Sequence, residues 1–312
     1  MSGEKILITE FMDGAAVAAL SDTFDVVYDP SLADRQEEIP ALLTDVSALI
    51  VRNRTQVREA LLAAAPDLKC VGRLGVGLDN IDQAACAARD VTVYPALGAN
   101  NLSVAEYVIT SAAMLLRGAY DRKAEMLAGA WPRQAASGRE ISGKVLGLVG
   151  YGAIARDTAK IGRALGMRIA GYDPFLPDDH PAWEGAERMS LEDVLTVGDV
   201  ISLHVPLTDD TRHMIDAEAI ARMQSGAVLI NAARGGVVDE AAVVAALRDE
   251  RLAGAALDVF ETEPLTADAG KMFDGVPNLI LTPHIAGVTE ESNERVSALI
   301  AEKIRAHLDR SD

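Results

Sequence analysis

Short apolar runs of strand length recur along the chain, separated by alanine- and leucine-rich stretches of helical period. In the first third these runs are 6–9, 25–28, 48–51, 70–73 and 91–94, and their alternation with helical patterns predicts a parallel sheet in an α/β unit. A long helical pattern begins at Asn100-Asn101-Leu102-Ser103, with Val104, Val108, Ala112 and Leu115 on one face. Ser103 and Glu106 have capping-box spacing, which predicts the helix start there. A second series of runs follows at 145–149, 167–172, 200–203, 228–231, 255–257 and 279–281, and a final helical pattern covers 291–308. The last helix is expected to fold back onto the first unit.

The second series opens with KVLGLVGYGAIARDTAKIGRALGMRIAGYD, residues 144–173. Gly150, Gly152 and Ala155 have the spacing G-x-G-x-x-A between a strand and a helix. Gly150 allows a tight turn, Gly152 lets backbone approach a pyrophosphate, and the small Ala155 lets helix pack on strand. The new helix points its unsatisfied N–H groups at the phosphates. Asp173 closes the next strand, where a carboxylate can accept both hydroxyls of an adenosine ribose and would repel a 2′-phosphate. The expected cofactor is therefore NAD rather than NADP.

Composition narrows the partners. The formal net charge of −18 argues against nucleic acid and against an acidic membrane surface, both polyanions. No apolar run reaches transmembrane length, and the N-terminal MSGEKILITEFMD has no signal-peptide apolar region. Both cysteines, Cys70 and Cys86, lie in apolar stretches, as expected of reduced core thiols in a cytoplasmic protein. No metal-ligand spacing is present.

Candidate polar residues sit just past the carboxyl ends of the later runs, the edge where open parallel sheets bind ligands. They are His204, Arg234, Asp258 and His284. Three segments carry them or neighbours of like chemistry: Asn231-Ala232-Ala233-Arg234-Gly235-Gly236, Asp258-Val259-Phe260-Glu261-Thr262-Glu263-Pro264 and Thr282-Pro283-His284-Ile285-Ala286-Gly287. With Leu74-Gly75-Val76-Gly77-Leu78-Asp79-Asn80-Ile81-Asp82 and Ser202-Leu203-His204-Val205-Pro206-Leu207-Thr208, these make the whole chain resemble the NAD-dependent D-2-hydroxyacid dehydrogenases. The resemblance implies an α/β fold of two Rossmann-like parallel-sheet domains flanking a cleft. A flavodoxin-like substrate domain would take residues 1–99 plus 286–312, and a dinucleotide-binding domain residues 100–285.

The resemblance makes Arg234, Glu263 and His284 the catalytic residues, and the chemistry gives each a task. Oxidising an alcohol by hydride transfer needs a base for the hydroxyl proton, and histidine serves both directions near neutrality. A carboxylate on the far ring nitrogen orients the imidazole and favours its protonated form. The planar guanidinium of Arg234 can hold the substrate carboxylate and polarise the C2 oxygen. The cofactor contacts implied are backbone at Ala153 and Ile154, His204, Val205 and Pro206 beside the adenosine end, and Ala232, Asp258 and Gly287 toward the nicotinamide. His180, His213 and His307 read as surface or helix residues.

Arg52, Arg54, Arg73 and Arg133 exceed what a simple hydroxy acid needs. A guanidinium cluster suits a second, tetrahedral anion such as phosphate or sulfonate, whereas surface ion pairing in an acidic protein is the plainer use. Gly75, Val76 and Gly77 can offer N–H groups to the substrate carboxylate. Phosphoglycerate dehydrogenases carry arginines at similar positions, the last reaching in from the partner subunit, which implies a homodimer. SGEKILITEFMD, IVRNRT, VGRLGVGLDNID and LAGAWPRQAASG are most similar to the bacterial sulfolactate dehydrogenases, which oxidise (S)-3-sulfolactate, of D-lactate geometry, to 3-sulfopyruvate. D-3-phosphoglycerate, or hydroxypyruvate and glyoxylate reduction, are the alternatives. A non-enzymatic NAD-binding regulator is a remote one, and formate oxidation is disfavoured because its enzymes have glutamine at the Glu263 position. The chain stops at Asp312, so serine feedback through an added C-terminal domain is not expected.

Overall fold

The computed structural model describes residues 3–120 and 122–310. The chain divides into two compact units, Met1–Asn100 with Val288–Asp312, and Asn101–Gly287.

The first unit holds strands β1 (Lys5–Ile8), β2 (Asp25–Tyr28), β3 (Ala48–Val51), β4 (Cys70–Arg73) and β5 (Thr92–Pro95) in the order β2-β1-β3-β4-β5. All neighbours pair in parallel, and this order is the flavodoxin-like one. β3 is buried at every position, as a strand covered on both faces must be. Ile6, Ile8, Ala48 and Ile50 pack on one face with the helices Gly14–Ser21 and Glu290–Leu308. Leu7, Leu49, Val51 and Val71 pack on the other. The C-terminal helix sits so close on β4 that a Cβ at Gly72 would lie 2.6 Å from Ile300. Cys70 and Cys86 are buried free thiols, and burial drives the Cys70 pKa up to about 12.

The second unit holds β6 (Val145–Val149), β7 (Arg168–Tyr172), β8 (Glu187–Arg188), β9 (Val200–Leu203), β10 (Ala227–Asn231), β11 (Leu252–Leu257) and β12 (Leu279–Leu281), in the order β12-β11-β10-β9-β6-β7-β8. Every pairing is again parallel. Read from β8, this is the doubly wound dinucleotide-binding order with one strand added, and its reversal lies between β6 and β9. β6 and β10 are wholly buried.

The long helix runs from Asn101 to Arg117, with Val104, Val108 and Ala112 buried. It differs from the sequence expectation at its start. Ser103 lies two residues inside it and is buried, so burial against the core, rather than a cap, decides its place. Among the described residues, no helix is long and apolar enough to cross a membrane.

Candidate active site

The glycine turn after β6 builds the nucleotide end. Gly150 has φ +87°, a left-handed backbone that glycine adopts at no steric cost. A Cβ there would lie 2.5 Å from the carbonyl oxygen of His204. The His204 N–H donates to Val149 O at 2.7 Å, so the ends of β6 and β9 touch at the point where strand order reverses. The helix Ala153–Ala164 then starts at Gly152, with no side chain capping its first N–H groups. Nothing lies within 4 Å of where a Gly152 Cβ would be. An uncapped twelve-residue helix facing open space over a glycine fits a pyrophosphate, which Ala153 and Ile154 would meet with backbone N–H groups. Ala155 is fully buried beneath them.

Asp173 is fixed beside this turn. Its Oδ2 accepts the Tyr151 N–H at 2.9 Å, and its Oδ1 accepts those of Phe175 at 2.9 Å and Leu176 at 3.2 Å. Oδ1 thus already accepts two bonds, while Oδ2 accepts one and keeps capacity for a ribose hydroxyl. His204 is only partly exposed and exchanges a 3.0 Å hydrogen bond with Ser202. Desolvation of its ring pulls the pKa down to about 4, so the ring is neutral at physiological pH. Val205, partly buried, and Pro206, exposed, follow it.

Arg234, Glu263 and His284 all belong to the second unit, on the turns after β10, β11 and β12. His284 Nδ1 donates to Glu263 Oε2 at 2.7 Å, and Glu263 Oε1 accepts the Phe260 N–H at 3.0 Å. Burial raises the Glu263 pKa, but hydrogen bonds from His284 and Phe260 and the charges of His284 and Arg234 outweigh it. The net result is a carboxyl below the usual range. With Nδ1 committed, Nε2 is the ring position available for proton exchange. Arg234 Nη1 donates to the carbonyl of Ala233 at 2.6 Å, while Asn231 ties both ends of this turn, donating to Arg234 O and accepting from Ala233 N.

His284 has φ +56°, a conformation that costs a non-glycine residue and persists only where neighbours impose it. Asp258 imposes it. The His284 N–H donates to the Asp258 carbonyl at 2.8 Å. The Asp258 carboxylate accepts from Thr282 Oγ1 at 2.6 Å and from the N–H groups of Ile285 and Ala286 at 2.8 Å. Asp258 is 1% exposed, so its carboxylate is spent on the turn that presents the histidine. Thr282 also bonds Tyr107 on the long helix. Ala286 is buried, while Ala232 and Gly287 are partly buried.

Two further contacts join the arginine and glutamate turns. A Cβ on Gly235 would collide with the Phe260 carbonyl, so the two backbones lie in direct contact there. Glu240, buried at the first turn of the helix Glu240–Arg248, accepts the Glu261 N–H at 2.7 Å. Its pKa is raised, first by burial and then by Glu261, Asp239 and Glu263.

The expected substrate residues are not all presented alike. Arg52 is partly buried and donates to Asn293 Oδ1 at 2.9 Å. Arg54, two residues on, is exposed and turns to an ion pair with Asp34. Arg73 folds back over Gly75, donating to the Leu74 carbonyl at 3.3 Å. Arg133 is exposed in the second unit. Gly75 is buried, and its N–H donates to Arg73 O at 2.7 Å. Val76 and Gly77 have no backbone acceptor among the described residues.

Nothing in the sequence alone assigns a role to Glu10, Asn80, Asn293, Gly235 or Glu240. Glu10 lies just past the carboxyl end of β1, but nothing in its local sequence marks the turn after β3 as its partner.

Residues 109–286 match the family described as D-isomer specific 2-hydroxyacid dehydrogenase, NAD binding domain. The (S)-sulfolactate dehydrogenase of Chromohalobacter salexigens is 55% identical over 304 residues, 97% of this chain and 98% of that protein. The D-3-phosphoglycerate dehydrogenase of Mycobacterium leprae is 39% identical over 97% of this chain but only 56% of its own length. A solved glyoxylate reductase from Paecilomyes thermophila superposes with a TM-score of 0.86 at 29% identity, covering 100% of this chain and 97% of that one. The chain belongs to the NAD-dependent D-2-hydroxyacid dehydrogenases, a family of oxidoreductases.

Proposed function

We propose that the substrate is a D-configured 2-hydroxy acid bearing a second strong anion, and that the reaction interconverts (S)-3-sulfolactate and 3-sulfopyruvate. The observation that carries this reading is 55% identity to an (S)-sulfolactate dehydrogenase along nearly the whole of both chains. Bound NAD supplies the hydride acceptor or donor. His284 takes the C2 hydroxyl proton at Nε2 during oxidation and returns it during reduction. Glu263 keeps the ring oriented and favours its protonated form, and Arg234 holds the carboxylate and polarises the C2 oxygen. Asp173 binds the adenosine ribose, Gly150, Gly152, Ala153 and Ile154 the pyrophosphate, and His204, Val205 and Pro206 border the adenosine end. Ala232, Asp258 and Gly287 shape the nicotinamide end, with Asp258 acting through the turn it holds.

Arg52 takes the sulfonate, supported by Arg54, Arg73 and Arg133, while Val76 and Gly77 meet the carboxylate. Arg133 acts from the partner subunit of a homodimer. Exposed Tyr120, Leu127 and Trp131, at 70%, 79% and 73%, support that assembly, because so much apolar surface on one segment is costly in water. The buried free thiols Cys70 and Cys86 suit the cytoplasm.

The test is an initial-rate comparison of NADH oxidation with 3-sulfopyruvate, 3-phosphohydroxypyruvate, hydroxypyruvate, pyruvate and glyoxylate at fixed salt. The expected result is a lead for 3-sulfopyruvate of about tenfold or more in kcat/KM, or about 1.4 kcal/mol of transition-state binding. A lead for 3-phosphohydroxypyruvate would transfer the anion site to phosphate. A lead for pyruvate or glyoxylate would remove it.

A further inference from the structure

In the five-stranded sheet the order β2-β1-β3-β4-β5 reverses between β1 and β3, where sheets of this topology bind anionic ligands. Here the crevice is filled from within. Glu10, just past β1 and 4% exposed, accepts four successive N–H groups from the turn after β3. These come from Arg52 at 2.8 Å, Asn53 at 3.3 Å, Arg54 at 3.2 Å and Thr55 at 2.9 Å. From the other side, Asn80 Nδ2 donates to the carbonyls of Thr55 at 2.7 Å and Arg52 at 3.3 Å. Thr9 and Thr55 share a 2.9 Å hydroxyl contact that closes the turn.

Four convergent N–H groups form an anion-binding nest, and Glu10 takes the place a ligand anion would occupy. A substrate anion must therefore be met by side chains of this turn rather than by its backbone. Arg52 is the residue so placed. It is partly buried, and its neighbour across Nη2 is the neutral Asn293, not a carboxylate. The Arg54 guanidinium, by contrast, is paired with Asp34 at the surface.

We infer that Glu10 is a positioning residue for Arg52: by filling the nest it fixes the turn from which the guanidinium is aimed, and Asn293 sets the aim at the far end. The selectivity for a substrate with a second anion then depends on Glu10, although Glu10 does not touch the substrate. This inference rests on the two-anion reading given above. It assigns the Arg52–Thr55 turn no part in hydride or proton transfer.

The experiment measures kcat/KM for 3-sulfopyruvate and for pyruvate in the wild type and in Glu10→Ala, Glu10→Gln, Asn293→Ala and Arg52→Ala. Glu10→Ala should lower kcat/KM for 3-sulfopyruvate about tenfold or more, through KM, the scale of one charge-assisted hydrogen bond. It should leave pyruvate nearly unchanged. Asn293→Ala should move the ratio the same way, more weakly. If Glu10→Ala does not fold, Glu10→Gln, which keeps one accepting oxygen, is judged by the same ratio. Equal losses on both substrates, or none on either, would overturn the inference. If Arg52→Ala abolishes the preference while both folded Glu10 variants keep it, the positioning role alone fails. If the wild type shows no preference for 3-sulfopyruvate over pyruvate, the two-anion reading fails, and the inference with it. If the wild type and Arg52→Ala share one preference for 3-sulfopyruvate, the inference fails while the two-anion reading stands.

Discussion

The imidazole of His284 is held by Glu263 at 2.7 Å on a backbone with φ +56°. The ring is oriented by a carboxylate on one side and by a strained turn below. That strain, on the order of 1–3 kcal/mol for such a conformation, is sustained by the four hydrogen bonds that the carbonyl and carboxylate of Asp258 accept.

Removing the charge of Glu263 should change how activity depends on pH. Its pKa lies below the ordinary range of a glutamate carboxyl: burial raises it, but the bonds from His284 and Phe260 and the charges of His284 and Arg234 outweigh that. The ionised form, and the stability it confers, is therefore fully present above the usual carboxylate pKa and is lost as pH falls through the lowered value. In Glu263→Gln no carboxylate is left to be lost, so the acid-side fall of kcat/KM for keto-acid reduction should lose its Glu263 component, and kcat should drop because the imidazolium has lost its counter-charge. An acid limb identical in wild type and variant would separate Glu263 from the titration.

Gly235→Ala should disturb two turns at once. The added methyl would collide with the Phe260 carbonyl, pushing the arginine turn away from the glutamate turn. Overpacking of this kind costs roughly 1–3 kcal/mol, and a lower Tm should accompany a lower kcat. A variant of wild-type kcat would mean that the spacing of Arg234 and Glu263 is not critical.

Asp173→Ala should relax the preference for NAD over NADP, because it removes the charge that repels a 2′-phosphate. It should also lower Tm, since three backbone N–H groups lose their acceptor. The ratio of kcat/KM for the two cofactors is the measurement, and an unchanged ratio would remove Asp173 from the ribose site.

His204 makes a stability prediction with a defined window. Its pKa falls from 6.5 to about 4 in the folded chain, so as pH drops the unfolded chain takes up the proton first. Stability should be full above pH 6.5 and decline toward pH 4, by roughly 3 kcal/mol at most. His204→Asn, which can still bond Ser202, should flatten Tm against pH across that window. An equal decline in the variant would assign the effect to other groups.

The parts of the site legible in the sequence were those whose chemistry and spacing are local. Gly150, Gly152 and Ala155 lie within six residues of one another, and Asp173 closes the next strand, so the nucleotide end could be read before any fold was known. Arg234 and His284 follow recognisable apolar runs, and the three motifs that carry Arg234, Glu263 and His284 have the order and spacing of a known family. Glu10 has no such mark, because its donors lie 42 to 45 residues away and only the parallel pairing of β1 with β3 brings them together. Ser103 misled for the opposite reason: a local capping pattern yielded to burial in the core. The N–H of Gly75 is turned back onto Arg73 O, a bond that spacing does not reveal.

The most direct test of the proton relay is His284→Ala, assayed for 3-sulfopyruvate reduction and, separately, for NADH binding by fluorescence. Loss of a positioned acid and base should lower kcat by about 100-fold or more while the NADH dissociation constant stays near that of the wild type. Turnover within a few-fold of the wild type, with NADH binding intact, would contradict the account.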